Sequence, residues 1–428
     1  MKLLLQKWKS ILNIYLKKRM TSRERVLAAL NHRESDRVPI DLSGHRSSGI
    51  SGIAYNKLRK HLGFPSKPVR IYDIVQQLAI VDEDVLDLFR IDTIELGRAF
   101  ALDEADWADW VLPDGTPCRV PIWTLPEKEA NQWVLRSKSG RVIAVMPESG
   151  FYFEQAYYPF FENDDLDAIH EVMEESMWCS MASPPGPLTE VPDGDKILAA
   201  GARTLRASSD RIVIGLFGGN LLELGQFLYR NDRFLMLLAE NPRHAHKFLD
   251  KITEMHLADL DRFLGAVGNY IDVILFGDDL GMQSGPQISP TMYREFFKPR
   301  HMLMWKRAKE LADVKIMLHC CGSIRELIPD LIDAGLDAIN PVQISSRGMD
   351  AKELKANFGD KLVFWGGGCD TQNILNHGSP EEVRQHVKNQ VSVLSPGGGF
   401  VFQQVHNILP DVPPENIVAL FEAVSNTE

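Results

Sequence analysis

A chain of 428 residues, 44% hydrophobic and 25% charged, has the composition of a folded globular protein with a large core, in one α/β domain or two. Its net charge of -11 argues against a surface built to hold a phosphate backbone, so nucleic acid is not an expected partner. Five unevenly spread cysteines make no disulfide framework, and no run reaches the roughly 20 apolar residues that span a bilayer, so a reducing, cytoplasmic setting without a transmembrane span is expected.

Residues 1–19 read as a basic amphipathic extension, with Leu4, Trp8, Ile11, Leu12, Tyr15 and Leu16 at helical spacing among lysines. Such a helix lies on a membrane surface or is a plain appendage; its lysines break any signal-peptide core. Thr21 or Ser22 caps a helix through Asn31, and 36–42 (DRVPIDL) reads as a short strand. The Ser/Gly-rich run 44–52 carries His45 and Arg46, as an active-site loop or a simple turn.

From about 97 to 195 the pattern changes to short Trp-, Val- and Ile-rich segments punctuated by Pro113-Asp114-Gly115 and Ser139-Gly140. This is a β-hairpin insertion that covers part of a barrel mouth or forms a contact in a homo-oligomer, with 184–195 as its return linker. Beyond residue 196, strand-like runs at 211–217, 272–276, 314–318, 337–339, 362–365 and 399–402 alternate with helices. Ser289-Pro290 and the Ser379 to Glu382 capping box mark two helix starts. The expected fold is a (β/α)8 TIM barrel over residues 20–428. An open doubly wound sheet is the alternative, but no strand is followed by G-x-G-x-x-G.

Barrel chemistry collects just past the C-terminal ends of strands. There the chain places Asp278, Asp279 and Gln283; His319, Cys320 and Cys321; Asn340 and Gln343; Cys369 and Asp370; and, after the last strand, His406. His319 and Cys321, one residue apart in extended backbone, share a face while Cys320 points away. With Cys369 from a later strand end they make a set suited to tetrahedral Zn(II) with an open position. The other reading is that the cysteines are small core hydrophobes and His319 a core hydrogen-bonding group. Asp278 or Asp279 acts as general acid, cation contact or partner of His319, or merely starts a helix. His45, Arg46, Gln283, Asn340, Gln343 and Asp370 are the expected substrate contacts, and His406 a further catalytic candidate. If Cys369 faces the wall, His406 or Asp278 is the next third ligand.

TSRERVLAALNHRESDRVPID (21–41), GDDLGMQSGPQISPTMYREFFKP (277–299), LHCCGSI (318–324), FWGGGCDTQ (364–372) and GGGFVFQQVHNILPDVPPENI (397–417) resemble the uroporphyrinogen decarboxylase superfamily, near its cobamide-dependent methyltransferases. The resemblance implies a barrel with a deep pocket at the strand C-termini. In the methyltransferase branch it implies zinc on a His-x-Cys pair, matched by His319 and Cys321, and a later cysteine near the final Gly-rich segment, where this chain has Gly397 to Gly399. The arginine-rich motif that grips porphyrinogen carboxylates is reduced here to Arg46. Three functions follow: a zinc-dependent methyltransferase working with a corrinoid (cobalamin) protein, a metal-independent decarboxylase or lyase resting on Asp278 or Asp279, and a noncatalytic assembly subunit using Trp107, Trp110 and Trp123 as contacts.

Overall fold

The computed structural model describes residues 20–100, 103–162, 164–181 and 193–425. The N-terminal extension and most of the return linker lie outside these.

Seven parallel strands form one curled sheet: β3 (Thr93–Glu95), β10 (Ile212–Gly218), β11 (Val273–Gly277), β12 (Lys315–His319), β13 (Ala338–Asn340), β14 (Val363–Trp365) and β15 (Phe400–Val401). Spatial order follows chain order from β3 to β15, and a short segment bridges the two edges. Asp41 N–H donates to Phe402 O and Phe402 N–H to Pro39 O, while Asp92 N–H, just ahead of β3, donates to Ile40 O. The 36–42 segment thus contributes a single bridge at Ile40 in the eighth position of a TIM-barrel-like ring.

Strand alternation builds two cores. Ile212, Ile214, Val273, Leu275, Met317, Val363, Trp365 and Val401 fill the interior, while Val213, Ile274, Ile316, Leu318, Ile339 and Phe364 face the surrounding helices. The helix Ser22–Leu30, with Thr21 and Glu24 in a capping box, adds Val26, Ala29 and Leu30 to the interior cluster.

At the N-terminal end, three aspartates each precede a strand and accept from the adjacent strand or bridging segment: Asp92 from Ile40 N–H, Asp272 from Val213 N–H and Asp337 from Ile316 N–H. Asp92 also holds Arg25 and Arg37, each at 2.6 Å, and Asp272 holds Arg23 and Arg206. The sequence expectation counted Asp272 and Asp337 as strand residues; they are latches between strands.

The antiparallel region pairs β4 (Trp107–Val111) with β5 (Pro117–Pro121), and runs β6 (Glu127–Glu129), β7 (Gln132–Arg136), β8 (Val142–Pro147) and β9 (Glu154–Gln155) as a meander. β5 also pairs in parallel with β1 (Val69–Asp73), itself paired to β2 (Leu78–Ala79), so this sheet draws strands from ahead of β3. Ser289 caps the helix starting at Pro290, which widens into a π-turn over Tyr293–Phe297 before Lys298–Leu311.

Candidate metal centre

β12 ends at His319, and the next residues turn through Gly322 at φ +87°. A Cβ on Gly322 would stand 2.6 Å from the Gly281 carbonyl carbon, so only glycine lets the loops after β11 and β12 cross here. The crossing brings Asp279 onto Cys321: Cys321 N–H donates to Asp279 Oδ1 at 2.7 Å. Gly322 N–H is fixed in turn by Gln343 Oε1 at 2.7 Å.

His319 Nε2 lies 3.3 Å from Cys321 Sγ, 3.4 Å from Ser47 Oγ and 3.7 Å from Asp279 Oδ1. Its Nδ1 lies 3.0 Å from Asn340 Oδ1. Asn340 uses its amide hydrogens on Trp365 O and Gln403 Oε1, so its oxygen must accept from Nδ1–H. That fixes the tautomer and leaves the Nε2 lone pair facing Cys321. Gln403 extends the brace, donating to Ser47 O and lying 3.2 Å from His45 Nε2.

The third member of the group is His406. His319, Cys321 and His406 each offer one donor atom, and all lie within 4.8 Å of one another. The rings of His319 and His406 sit 5.8 Å apart at 64°. The expectation for Cys369 is therefore corrected. Cys369 is sealed in the hydrophobic wall, its Sγ 3.8 Å from the Asp370 carbonyl. Its backbone accepts from Val405 N–H, so the two segments run side by side and only one presents a donor inward. Cys320 also faces the wall, where its sulfur accepts from Leu280 N–H.

Burial, with His319 and His45 nearby, pushes the His406 imidazole down to about 3, and burial also lowers His319. Both rings keep a lone pair at neutral pH. Burial and then Asp279 push the Cys321 thiol well above its usual range. Two neutral imidazoles, one with its Nε2 already oriented, and a thiol that a cation would deprotonate form a three-donor set that fits zinc with a position left for substrate.

The adjacent aspartates divide. Asp278 is fully buried and accepts from Leu222 and Glu223 N–H, capping the helix Leu222–Tyr229, with His301 Nε2 at 3.4 Å. Its catalytic expectation is corrected to a structural one, since both oxygens are committed. Asp279 faces the metal group. Beside it, Glu223 was missed by the sequence reading: burial, then Asp279 and Asp278, push its carboxyl well above the carboxylate range. Its only sequence signal is a place after the Gly218-Gly219 end of β10.

Of the expected substrate contacts, Asn340 and Gln343 brace the metal group directly, and His45 does so through Gln403. Arg46 pairs with Asp73 at 3.3 Å. Gln283 accepts from Ser346 Oγ, and Asp370 caps its own turn by accepting from Gln372 and Asn373 N–H. Ser47 and Gln403 were not singled out from sequence; Ser47 follows the noted His45-Arg46 pair, and Gln403 lies three residues before His406.

Residues 192–427 match the profile of the family described as Uroporphyrinogen decarboxylase (URO-D). The chain belongs to the URO-D family. Uroporphyrinogen decarboxylase from Psychromonas ingrahamii is 26% identical over 186 residues, 43% of this chain and 48% of that protein, so the chain spans about half the length of this relative. The Ectopseudomonas mendocina protein of that name is 23% identical over 344 residues, 71% of this chain and 92% of its own. A methyltransferase from Methanosarcina mazei shares the fold, with a TM-score of 0.57 at 17% identity over 95% of this chain and 98% of that one. No described helix is long and apolar enough to cross a membrane.

Proposed function

We propose that this URO-D family member is a zinc-dependent methyltransferase, with His319, Cys321 and His406 as ligands, moving a methyl group between a corrinoid protein and a thiol or small methylated substrate. The observation that carries the reading is the gathering of these three donors at the barrel mouth with the His319 tautomer fixed by Asn340. The chain's fold likeness to a methyltransferase is consistent with it. Bound zinc supplies a Lewis acid that holds a thiolate near neutral pH or polarises a leaving-group oxygen or nitrogen.

The protein's own residues do the rest. Asn340 and Gln403 hold His319 in register. Asp279 Oδ1 is tied to Cys321 N–H and lies 3.7 Å from His319 Nε2, which sets the carboxylate beside the donor group where it can take the proton of an incoming thiol. Glu223, whose carboxyl is pushed well above the carboxylate range by burial and then by Asp279 and Asp278, stands beside it. Porphyrinogen decarboxylation is disfavoured because Arg46, the one cation of the N-terminal loop, is already paired with Asp73.

The test is zinc content of protein purified without chelators, followed by methyl transfer from methylcobalamin to a small thiol. One zinc per chain, lost in Cys321→Ser and His406→Ala along with transfer, is expected. Metal-free protein that still decarboxylates a porphyrinogen would overturn the reading.

A further inference from the structure

A small cavity at the C-terminal end of β3 collects three polar side chains that the fold leaves without partners. Ser43, Tyr72 of β1 and Glu95, the last residue of β3, line it together with Arg98, Ile80 and Phe100. The hydroxyls of Ser43 and Tyr72 are buried with no hydrogen-bond partner. Glu95 is 5% exposed and Ser43 4%, and no ion pair or hydrogen bond to the Glu95 carboxyl is found among the described residues. Buried polar groups of this kind are rare in folded proteins, and three around one space call for a ligand.

Charge decides which ligand. Arg46 is answered by Asp73 at 3.3 Å and Arg98 by Glu83 at 3.6 Å, so Glu95 is the group left without a counter-ion. Burial pushes its carboxyl up to about 7, while Arg46, His45 and Arg98 pull the other way. A free volume of about 30 Å³ admits one group the size of a water molecule. Water would serve the two hydroxyls but leave the Glu95 charge uncompensated. A primary ammonium group is no larger, brings the missing charge, and has three N–H donors for a carboxylate oxygen, Ser43 Oγ and the Tyr72 hydroxyl. Ile80 and Phe100 are apolar walls, costly for a bare inorganic cation and suited to an alkyl chain. Room for that chain exists, because Ile80, Arg98 and Phe100 also line a cleft of about 550 Å³ whose cations are all ion-paired.

We propose that this cavity binds the ammonium group of a small primary amine. Ser43 belongs to the loop that carries Ser47 onto His319, so the bound amine stands across one loop from the metal group. The site stands whether or not zinc binds.

Saturation-transfer NMR of the full chain titrated with n-propylammonium at about pH 8, where Glu95 is mostly ionised, tests this. Saturable binding with a Kd of about 1 to 10 mM is expected, the scale open to a ligand of so few atoms. The neutral n-propanol should not saturate, and potassium at the same concentration should not displace the amine. Glu95→Gln keeps the shape and removes the charge, so it should weaken binding roughly tenfold or more, and Tyr72→Phe roughly threefold, with thermal unfolding not lowered in either. Cys321→Ser should bind the amine as the wild type does, which separates the cavity from amine coordination by a metal. No saturation by n-propylammonium, displacement by potassium, equal binding by Glu95→Gln or loss of binding in Cys321→Ser overturns the proposal.

Discussion

The two ends of the barrel use the same residue types to opposite effect. At the N-terminal end, carboxylates precede strands and every charge is answered: Asp92 by Arg25, Arg37 and Ile40 N–H, and Asp272 by Arg23, Arg206 and Val213 N–H. At the C-terminal end, His319, Cys321 and His406 follow strands and aim donor atoms at one another. Saturated networks resist unfolding but can bind nothing. Donors held at close range by a brace are poised for a ligand, which is the division of labour expected of a barrel's two faces.

The comparison is broken most severely at Asp92. Asp92→Ala leaves two buried guanidiniums facing one lost carboxylate and should cost about 3–5 kcal/mol in urea unfolding, with zinc content of the folded fraction unchanged. Loss below about 1 kcal/mol would show that the closed end is not the stabilising one.

At the open end the expected pattern inverts. Cys321→Ser and His406→Ala should each weaken zinc binding by roughly 100-fold or more with little change in unfolding, while Cys369→Ser keeps full stoichiometry. A Cys369→Ser protein that loses zinc while Cys321→Ser retains it would return the site to the sequence expectation. Asn340→Leu should cost roughly 10- to 100-fold in zinc affinity by freeing the His319 ring.

Acidity sharpens the same contrast. The Cys321 thiol is held above its ordinary range, so it carries its proton at neutral pH without metal and must release it on binding. Apparent zinc affinity should therefore rise about tenfold per pH unit through neutrality. His406, near 3, and the lowered His319 are already neutral there and add nothing to the slope. A flat profile between pH 6 and about 8 would place the thiolate before the metal.

The smallest effects separate the two neighbouring aspartates. Asp278→Ala should lose about 1–3 kcal/mol because two helix N–H groups lose their acceptor. Asp279→Asn should change stability by less than about 0.5 kcal/mol yet slow methyl transfer.

The strands from β10 onward were legible because buried parallel strands are dense apolar runs bounded by polar strand ends. β3 escaped, since a three-residue strand inside DLFRIDTIEL gives no period to read. His319 and Cys321 were legible because alternation holds across a single intervening residue. Cys369 was misplaced because Gly366 and Gly367, at φ +107° and +79°, reset the alternation between β14 and the cysteine, so the strand end could be counted but not the face. Asp278 and Asp279 had to face opposite ways. Which one faced the mouth depended on where the helix Leu222–Tyr229 begins, which their own local sequence does not encode.

The segment that bridges the ring at Ile40 also delivers the His45 to Ser48 turn to the metal group, and its partners stand far away in the chain, His45 and Gln403 being 358 residues apart. Closing the ring and assembling the donors are thus one event. A nascent chain that has not released Phe400 to His406 from the ribosome lacks both the last strand and the third donor, leaving His319 and Cys321 as an incomplete set. If the group binds a metal as proposed, uptake during synthesis would mark the moment the barrel shuts.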